Sequence, residues 1–274
     1  MQSWTESGQE MAEEVRRQLQ EIGWGDFYYF EETDSTNTQA KKLALQGAAH
    51  GSLVLANQQT AGKGRRGRMW ESPRDSGIFM TFLLRPQIEM EKISMLTLVA
   101  ALAISKAVEE VCGCEWNCQI KWPNDLVMNR KKICGILTEM GTEGSKLQYV
   151  VVGIGINVAQ QQFPEELKET ATSLCQQTQR PIVRAKLVEA AVRAFRQFYE
   201  QWEKQGDLSL LRREYEEKLV NRNREVLVLD PKGNYTGTAR GITDTGELLV
   251  CTKEGETREV RSGEVSVRGI YGYV

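Results

Sequence analysis

The chain has little of what many catalysts and metal sites depend on. Its 274 residues include one histidine, His50. Ser-His and Cys-His catalysis therefore find no support, and neither does a histidine-rich metal centre. His50 stands in "GAAHGS", which reads as a turn. There are six cysteines but no C-x-x-C pair, and "CGCEWNC" (Cys112, Cys114, Cys118) lacks the spacing of a zinc site. No zinc is expected, and the thiols read as free. An excess of charge of one sign is also missing. Lys and Arg total 35 against 37 for Asp and Glu, so the chain has no general coat for nucleic acid, and no DNA partner is expected. The longest apolar run, around "MLTLVAALAIS", is well short of the roughly 20 residues that span a bilayer. The opening "MQSWTESGQEMAEEVRRQLQ" has no apolar signal-peptide core. These absences point to a cytoplasmic protein with no membrane contact.

What is present suggests two domains. Residues 9–21 carry an amphipathic helical pattern. "TDSTNTQAKKLALQG" reads as a helix start, with Thr36 and Gln39 at capping-box spacing and Gly47 available to end it. "SLVLAN" and "GIFMTFLLRP" read as strands, and "EKISMLTLVAALAISKAVEEV" as a buried helix. "QIKWPNDLVMNRKKICGILTEM" reads as strand, turn, strand, turn, strand, and "LQYVVVGIGINV" as a buried strand. Helices are expected over about 184–205 and 208–220. From residue 221 on, short alternating runs are separated by "DPKGN", "TDTGE" and "KEGET", all turn chemistry. The expectation is an α+β domain over 1–220, built on a mixed central sheet with hairpins rather than regular βαβ units, and a small β-barrel over 221–274.

One stretch stands out against the neutral background. "GKGRRGRMW", Gly62 to Trp70, packs four cations and three glycines into nine residues. It satisfies G-x-G-x-x-G, but "RMWESPRDSG" follows where a dinucleotide site needs a helix, and it is no Walker A loop. Glycine-flanked backbone and arginine forks suit phosphate. The simplest alternative is a nucleic-acid or localisation tag. "KWPNDL" crowds a lysine, a tryptophan and a carboxylate around one tight turn. "KKICGILTEM" sets Lys132 just before an apolar strand, and "VVGIGINV" puts two glycines in a buried one. Taken singly, each has an ordinary structural explanation as a turn, a solvated strand end, a bend or a helix cap.

Taken together, "TDSTN", "QQTAGKGRRGRMW", "KWPNDL", "KKICGILTE" and "VVGIGINV", in this order, resemble the biotin protein ligases over roughly residues 33–158. The tail "GEVSVRGIY" resembles their small SH3-like domain. The resemblance implies a class II synthetase-like biotin/lipoate ligase catalytic domain. It implies two steps: biotin and ATP form biotinyl-5'-AMP and pyrophosphate, and biotin then passes to a lysine of a biotin carboxyl carrier protein, as in acetyl-CoA carboxylase. It assigns Ser35, Thr36, Asn37, Gln59, Gly62, Lys63, Arg65, Lys132 and Gly155 to biotin. It assigns Arg65, Arg66, Arg68, Trp70, Asn124, Lys132, Asn157 and Arg268 to ATP and the adenylate. Lys132, Arg68 and Asp125 become the catalytic candidates, with Asp125 also a candidate Mg²⁺ ligand or orienter of the acceptor lysine. No DNA-binding module of about sixty residues fits ahead of Thr33, so no repressor role is expected. A monomer or homodimer is open. Alternatives are a lipoate or other acyl ligase, and a non-catalytic nucleic-acid-binding protein.

Overall fold

The computed structural model describes residues 6–67, 69–262, 266–269 and 273–274. Helix α1 (Gly8–Ile22) begins at a reciprocal cap between Ser7 and Glu10, and Gly23 ends it at φ +63°, where a side chain would be strained. Its Met11, Ala12 and Val15 are buried against α5 (Arg184–Gln205) and β1 (Phe27–Thr33). Arg184, fully buried at the start of α5, donates to Asn57 Oδ1 at 3.1 Å, to Gly77 O at 3.2 Å and to Glu6 O. A guanidinium so placed is tolerated because both terminal nitrogens meet acceptors, although Nε finds none.

Strand β1 runs parallel to β2 (Ser52–Lys63), and α2 (Thr36–Leu45) makes the crossover. The domain therefore opens with one βαβ unit, the parallel pair of the mixed sheet, and antiparallel pairings follow. β1 is half-buried without clean alternation, which hid it. The expected capping box is also replaced. Ser35 is the N-cap of α2, so Gln39 is one position too late, and its amide donates to Asp34 instead.

All other pairings in the sheet are antiparallel. They join β3 (Met69–Ser72), β4 (Gly77–Leu84), β5 (Gln119–Lys121), β6 (Asp125–Met128), β7 (Lys131–Glu143) and β8 (Lys146–Asn157). The order is β1-β2-β4-β8-β7-β6-β5, with β3 beside β2. Period-two alternation then divides the faces. Ile78, Met80, Phe82 and Leu84 of β4, with Val150, Val152, Ile154 and Ile156 of β8, enter the main core. That core is closed by α5 and by α3 (Met95–Cys112). Their odd-numbered neighbours face the other way. There α2 covers one end through Ala40, Ala44, Leu83 and Val151. The rest of that face is left open.

After α4 (Leu174–Thr178), α5 and α6 (Arg212–Lys218) comes a second sheet. Strands β9 (Glu225–Leu229), β10 (Tyr235–Ile242), β11 (Leu248–Cys251), β12 (Thr257–Val260) and β13 (Ser266–Gly269) pair antiparallel in the order β12-β11-β10-β9-β13. It leans on the first domain. Trp122 Nε1 donates to Gly246 O at 3.0 Å, and the Ile242 N–H donates to Glu216. No helix among the described residues is long and apolar enough to cross a membrane.

Candidate active site

The open part of the sheet face is a cleft. Its floor follows from strand register. Gly155 of β8 lies opposite Phe79 of β4 and Gly135 of β7, and Gly153 lies opposite Thr81 and Leu137. Three glycines on one face make a trough where side chains would otherwise stand. A Cβ on Gly153 would fall 2.1 Å from Asn37 Oδ1, so that glycine is obligatory for the packing of α2. A Cβ on Gly155 would meet nothing within 4 Å and would project into free space.

One end of the cleft is lined by uncharged polar groups, several of them bonded to one another. Ser35, Thr36 and Asn37, all buried, sit at the start of α2. Gln59 Oε1 accepts from the Thr36 N–H at 2.8 Å and its hydroxyl at 3.1 Å, while Gln59 Nε2 donates to Ser72 Oγ at 3.2 Å. Thr81 Oγ1 lies 2.8 Å from Thr36 Oγ1 and 2.7 Å from Asn37 Oδ1. Asn37 Nδ2 donates onward to Glu139 at 2.8 Å, and Glu139 pairs with Lys41. Short hydroxyls and amides in this setting match a neutral ligand group with both donors and acceptors.

The other end is cationic. Lys63, Gly64, Arg65 and Trp70 of the glycine-arginine stretch line it, with Asn124 and Lys132. Residues Arg65–Gly67 form a 3-10 turn and β3 follows, so the stretch does not open a helix. Gly62 packs under β3, since a Cβ there would lie 2.6 Å from Trp70 O. Arg65 donates to Asn124 Oδ1 at 2.9 Å and to Ser262 O, which ties the loop to the "KWPND" turn and to the second domain. Lys132 Nζ stands 2.6 Å from Asp125 Oδ1 and 5.0 Å from the centre of the Trp70 ring. Burial by itself would raise the Asp125 carboxyl. Lys132, Lys121 and the Tyr273 hydroxyl outweigh it and hold the group below the usual carboxylate range.

The structure brings most of the expected residues together and leaves some apart. Ser35, Thr36, Asn37, Gln59, Lys63, Arg65, Trp70, Asn124, Lys132 and Gly155 all line the cleft. Arg68 and the side chain of Arg66 lie outside the described residues. Asn157 and Arg268 are not among the described lining residues: Asn157 is buried and donates to Thr172 O at 3.0 Å, and the exposed Arg268 sits on β13 opposite Leu227. Asp125 makes a poor Mg²⁺ ligand here. Its Oδ1 faces an ammonium, its Oδ2 accepts from Tyr273, and no cluster of three His, Cys, Asp or Glu suited to a metal occurs among the described residues. Both oxygens of Asp125 are thus engaged by side chains of the chain itself.

The sequence pattern does not reveal the contacts of Thr81, Tyr273 and Ser262 in this site. Thr81 was detectable in principle, as the one hydroxyl in the wholly buried strand "GIFMTFLL". Tyr273 carried no signal, because its contact with Asp125 spans 148 positions.

Comparison with known proteins agrees with this geometry. The model of the Biotin/lipoate A/B protein ligase family matches residues 29–157, and that of the Biotin protein ligase C terminal domain matches 223–268. The Bifunctional ligase/repressor BirA of Bacillus subtilis is 39% identical over 243 residues, 87% of this chain and 73% of that one. A Biotin--[acetyl-CoA-carboxylase] ligase of Mycobacterium tuberculosis is 30% identical, over 89% of each chain. The biotin protein ligase of Aquifex aeolicus, solved in complex with biotin and ATP, superposes with a TM-score of 0.78 at 32% identity, covering 89% of this chain and 99% of that one. With this sheet, this cleft and these relatives, the chain belongs to the biotin protein ligase family.

Proposed function

We propose that the cleft joins biotin to AMP and then delivers biotin to a carrier lysine. In the first step a carboxylate oxygen of biotin attacks the α-phosphorus of ATP. The bond to the bridging oxygen breaks, and pyrophosphate leaves. In the second step the amine of a lysine on a biotin carboxyl carrier domain attacks the acyl carbon. AMP departs, and the amine gives up a proton as the amide forms. The names of the relatives point to acetyl-CoA carboxylase as the source of that domain.

The single observation that carries this reading is Lys132. It stands where the glycine floor meets the cationic end, held by Asp125 at 2.6 Å. Two anions must approach each other in the first step, and a fixed ammonium between them lowers their repulsion most in the transition state. The neutral end supports placing the ureido ring near Ser35, Thr36 and Gln59. The arginine-glycine stretch supports placing the phosphates near Arg65, with Arg66 and Arg68 as further partners. Trp70 would pack between the two parts of the adenylate. Asn124 and Arg65, already bonded to each other, would reach the α-phosphate side.

The test is to incubate the protein with MgATP and either biotin or lipoate, measure pyrophosphate, and weigh the bound product by mass spectrometry. Biotin-dependent pyrophosphate and a bound biotinyl-5'-AMP are expected, followed by label transfer to an added carrier domain. Pyrophosphate release with lipoate but not biotin would replace this reading with that of a lipoate ligase.

A further inference from the structure

The function proposed above uses one oxygen of Asp125. The other, Oδ2, accepts a hydrogen bond from the Tyr273 hydroxyl at 2.5 Å. The same Tyr273 ring covers Lys121, whose Nζ lies 4.0 Å from the ring centre. Lys121 is nearly buried on β5, directly across from Asp125 on β6. One phenol therefore stands between the carboxylate and a second ammonium. It supplies a donor to the first and a π face to the second.

The packing around this contact leaves little slack. A Cβ on Gly269, the last residue of β13, would fall 2.2 Å from the carbonyl carbon of Val274. The main chain next to Tyr273 is thus pressed onto the second sheet at a glycine that makes room for it. On the cleft side, a Cβ on Gly135 would come within 3.0 Å of Lys132 Nζ and 3.7 Å of Asp125 Oδ1. The ammonium is held between that glycine and the carboxylate. A carboxylate that turned toward Lys121 would release it.

We propose that Tyr273 is a positioning residue for Lys132: by capping Asp125 Oδ2 and covering Lys121, it holds Oδ1 where it aims the Lys132 ammonium into the cleft. The inference rests on the adenylating function proposed above, and it makes the second domain a participant in the first half-reaction. Tyr273 touches neither reacting group, so its effect is on rate at saturation and not on ligand binding.

Tyr273→Phe removes the hydroxyl and keeps the ring. Its biotin-dependent pyrophosphate release should show kcat lowered about 10-fold, with KM for biotin and for ATP within about twofold of wild type, because only the aim of the ammonium changes. Tyr273→Leu, which also uncovers Lys121, should lower kcat by roughly 100-fold. Gly269→Ala keeps Tyr273 but displaces the main chain of Val274, and should reproduce the Phe result with an unchanged biotin affinity by calorimetry. A Tyr273→Phe enzyme with wild-type kcat overturns the inference and leaves the proposed function intact. So does one with raised KM for both ligands and normal kcat, which would mark Tyr273 as packing alone. Absence of biotin-dependent pyrophosphate from the wild type overturns the proposed function and this inference with it.

Discussion

The two ends of the cleft solve opposite problems with different materials. The neutral end uses uncharged groups already bonded to one another, Thr36 with Gln59 and Thr81 with Asn37, and meets a charge only at its outer limit, where Asn37 donates to Glu139. Its geometry is set by α2, β2, β4 and β7 before any ligand arrives. The cationic end uses long side chains, and its partners come from distant segments: Arg65 to Asn124 and Ser262, Lys132 to Asp125. The first end is suited to recognition, where misplaced donors are costly. The second is suited to charge that develops and departs, where fixed cations lower a barrier. Binding and rate should therefore separate along the length of one cleft.

The largest break in that comparison is Lys132→Ala. Pyrophosphate release should fall by about 100-fold or more, while the biotin dissociation constant stays within about threefold, because the proposed function sets the lysine at the meeting of two anions. Calorimetry beside a pyrophosphate assay measures both. A variant that loses biotin binding in proportion to rate would erase the division between the ends.

Thr81→Val is the complementary break. It leaves Asn37 Oδ1 without its partner and removes the contact to Thr36, an unsatisfied-group cost of about 1–3 kcal/mol. Biotin affinity should weaken about 10-fold, the equivalent of 1.4 kcal/mol, with kcat at saturating biotin nearly unchanged. A drop in kcat at unchanged affinity would mean that the hydroxyl serves the chemistry.

A smaller, kinetic effect concerns the stretch from Lys63 to Arg68. Lys63 is exposed, and Arg65 is half-buried by its contacts to Asn124 and Ser262. If this end closes on the phosphates, biotin plus MgATP should slow tryptic cleavage within 63–68 by about fivefold, and either ligand alone by less. The ligands must offset an ordering cost of roughly 1–2 kcal/mol per residue. Equal cleavage rates in all three conditions would show that the stretch does not close.

How much of this could be read in advance follows the same division. The buried strands of "GIFMTFLLRP" and "VVGIGINV", and the long apolar helix of "MLTLVAALAIS", declare themselves by composition, because full burial leaves a continuous apolar run. Three connections of the second sheet declare themselves by turn chemistry, in "DPKGN", "TDTGE" and "KEGET". β1 did not, since a half-buried strand carries neither signal. Motif residues such as Lys132 and Gln59 were legible as members of a resemblance. Their partners were not. Thr81, Tyr273 and Ser262 act through contacts that strand register and domain docking create, and local pattern holds no record of either. The failed capping box at Thr36 makes the same point: the hydroxyl was committed to Gln59 across the sheet.

The smallest expected effect lies at the outer limit of the neutral end. Lys41 and Glu139 pair on a surface where each side chain keeps about a third of its exposure, 31% and 29%. Solvent screens such a pair, so Lys41→Met should cost under about 1 kcal/mol and leave biotin affinity within about twofold. Its pH dependence distinguishes a working pair from an idle one. Burial would raise the Glu139 carboxyl, but Lys41 and Asn37 outweigh burial and hold it below its ordinary value. A depressed carboxyl contributes stability that is present above the usual carboxylate range and is lost as pH falls through the folded value. The thermal midpoints of wild type and Lys41→Met should therefore differ slightly near pH 7 and converge in acid, and Glu139→Gln should show no such convergence on losing Lys41. A gap between wild type and Lys41→Met that widens toward acid would mean that Lys41 steadies this end through its methylene stem and not its charge. The network from Thr36 to Glu139 would then end at Asn37.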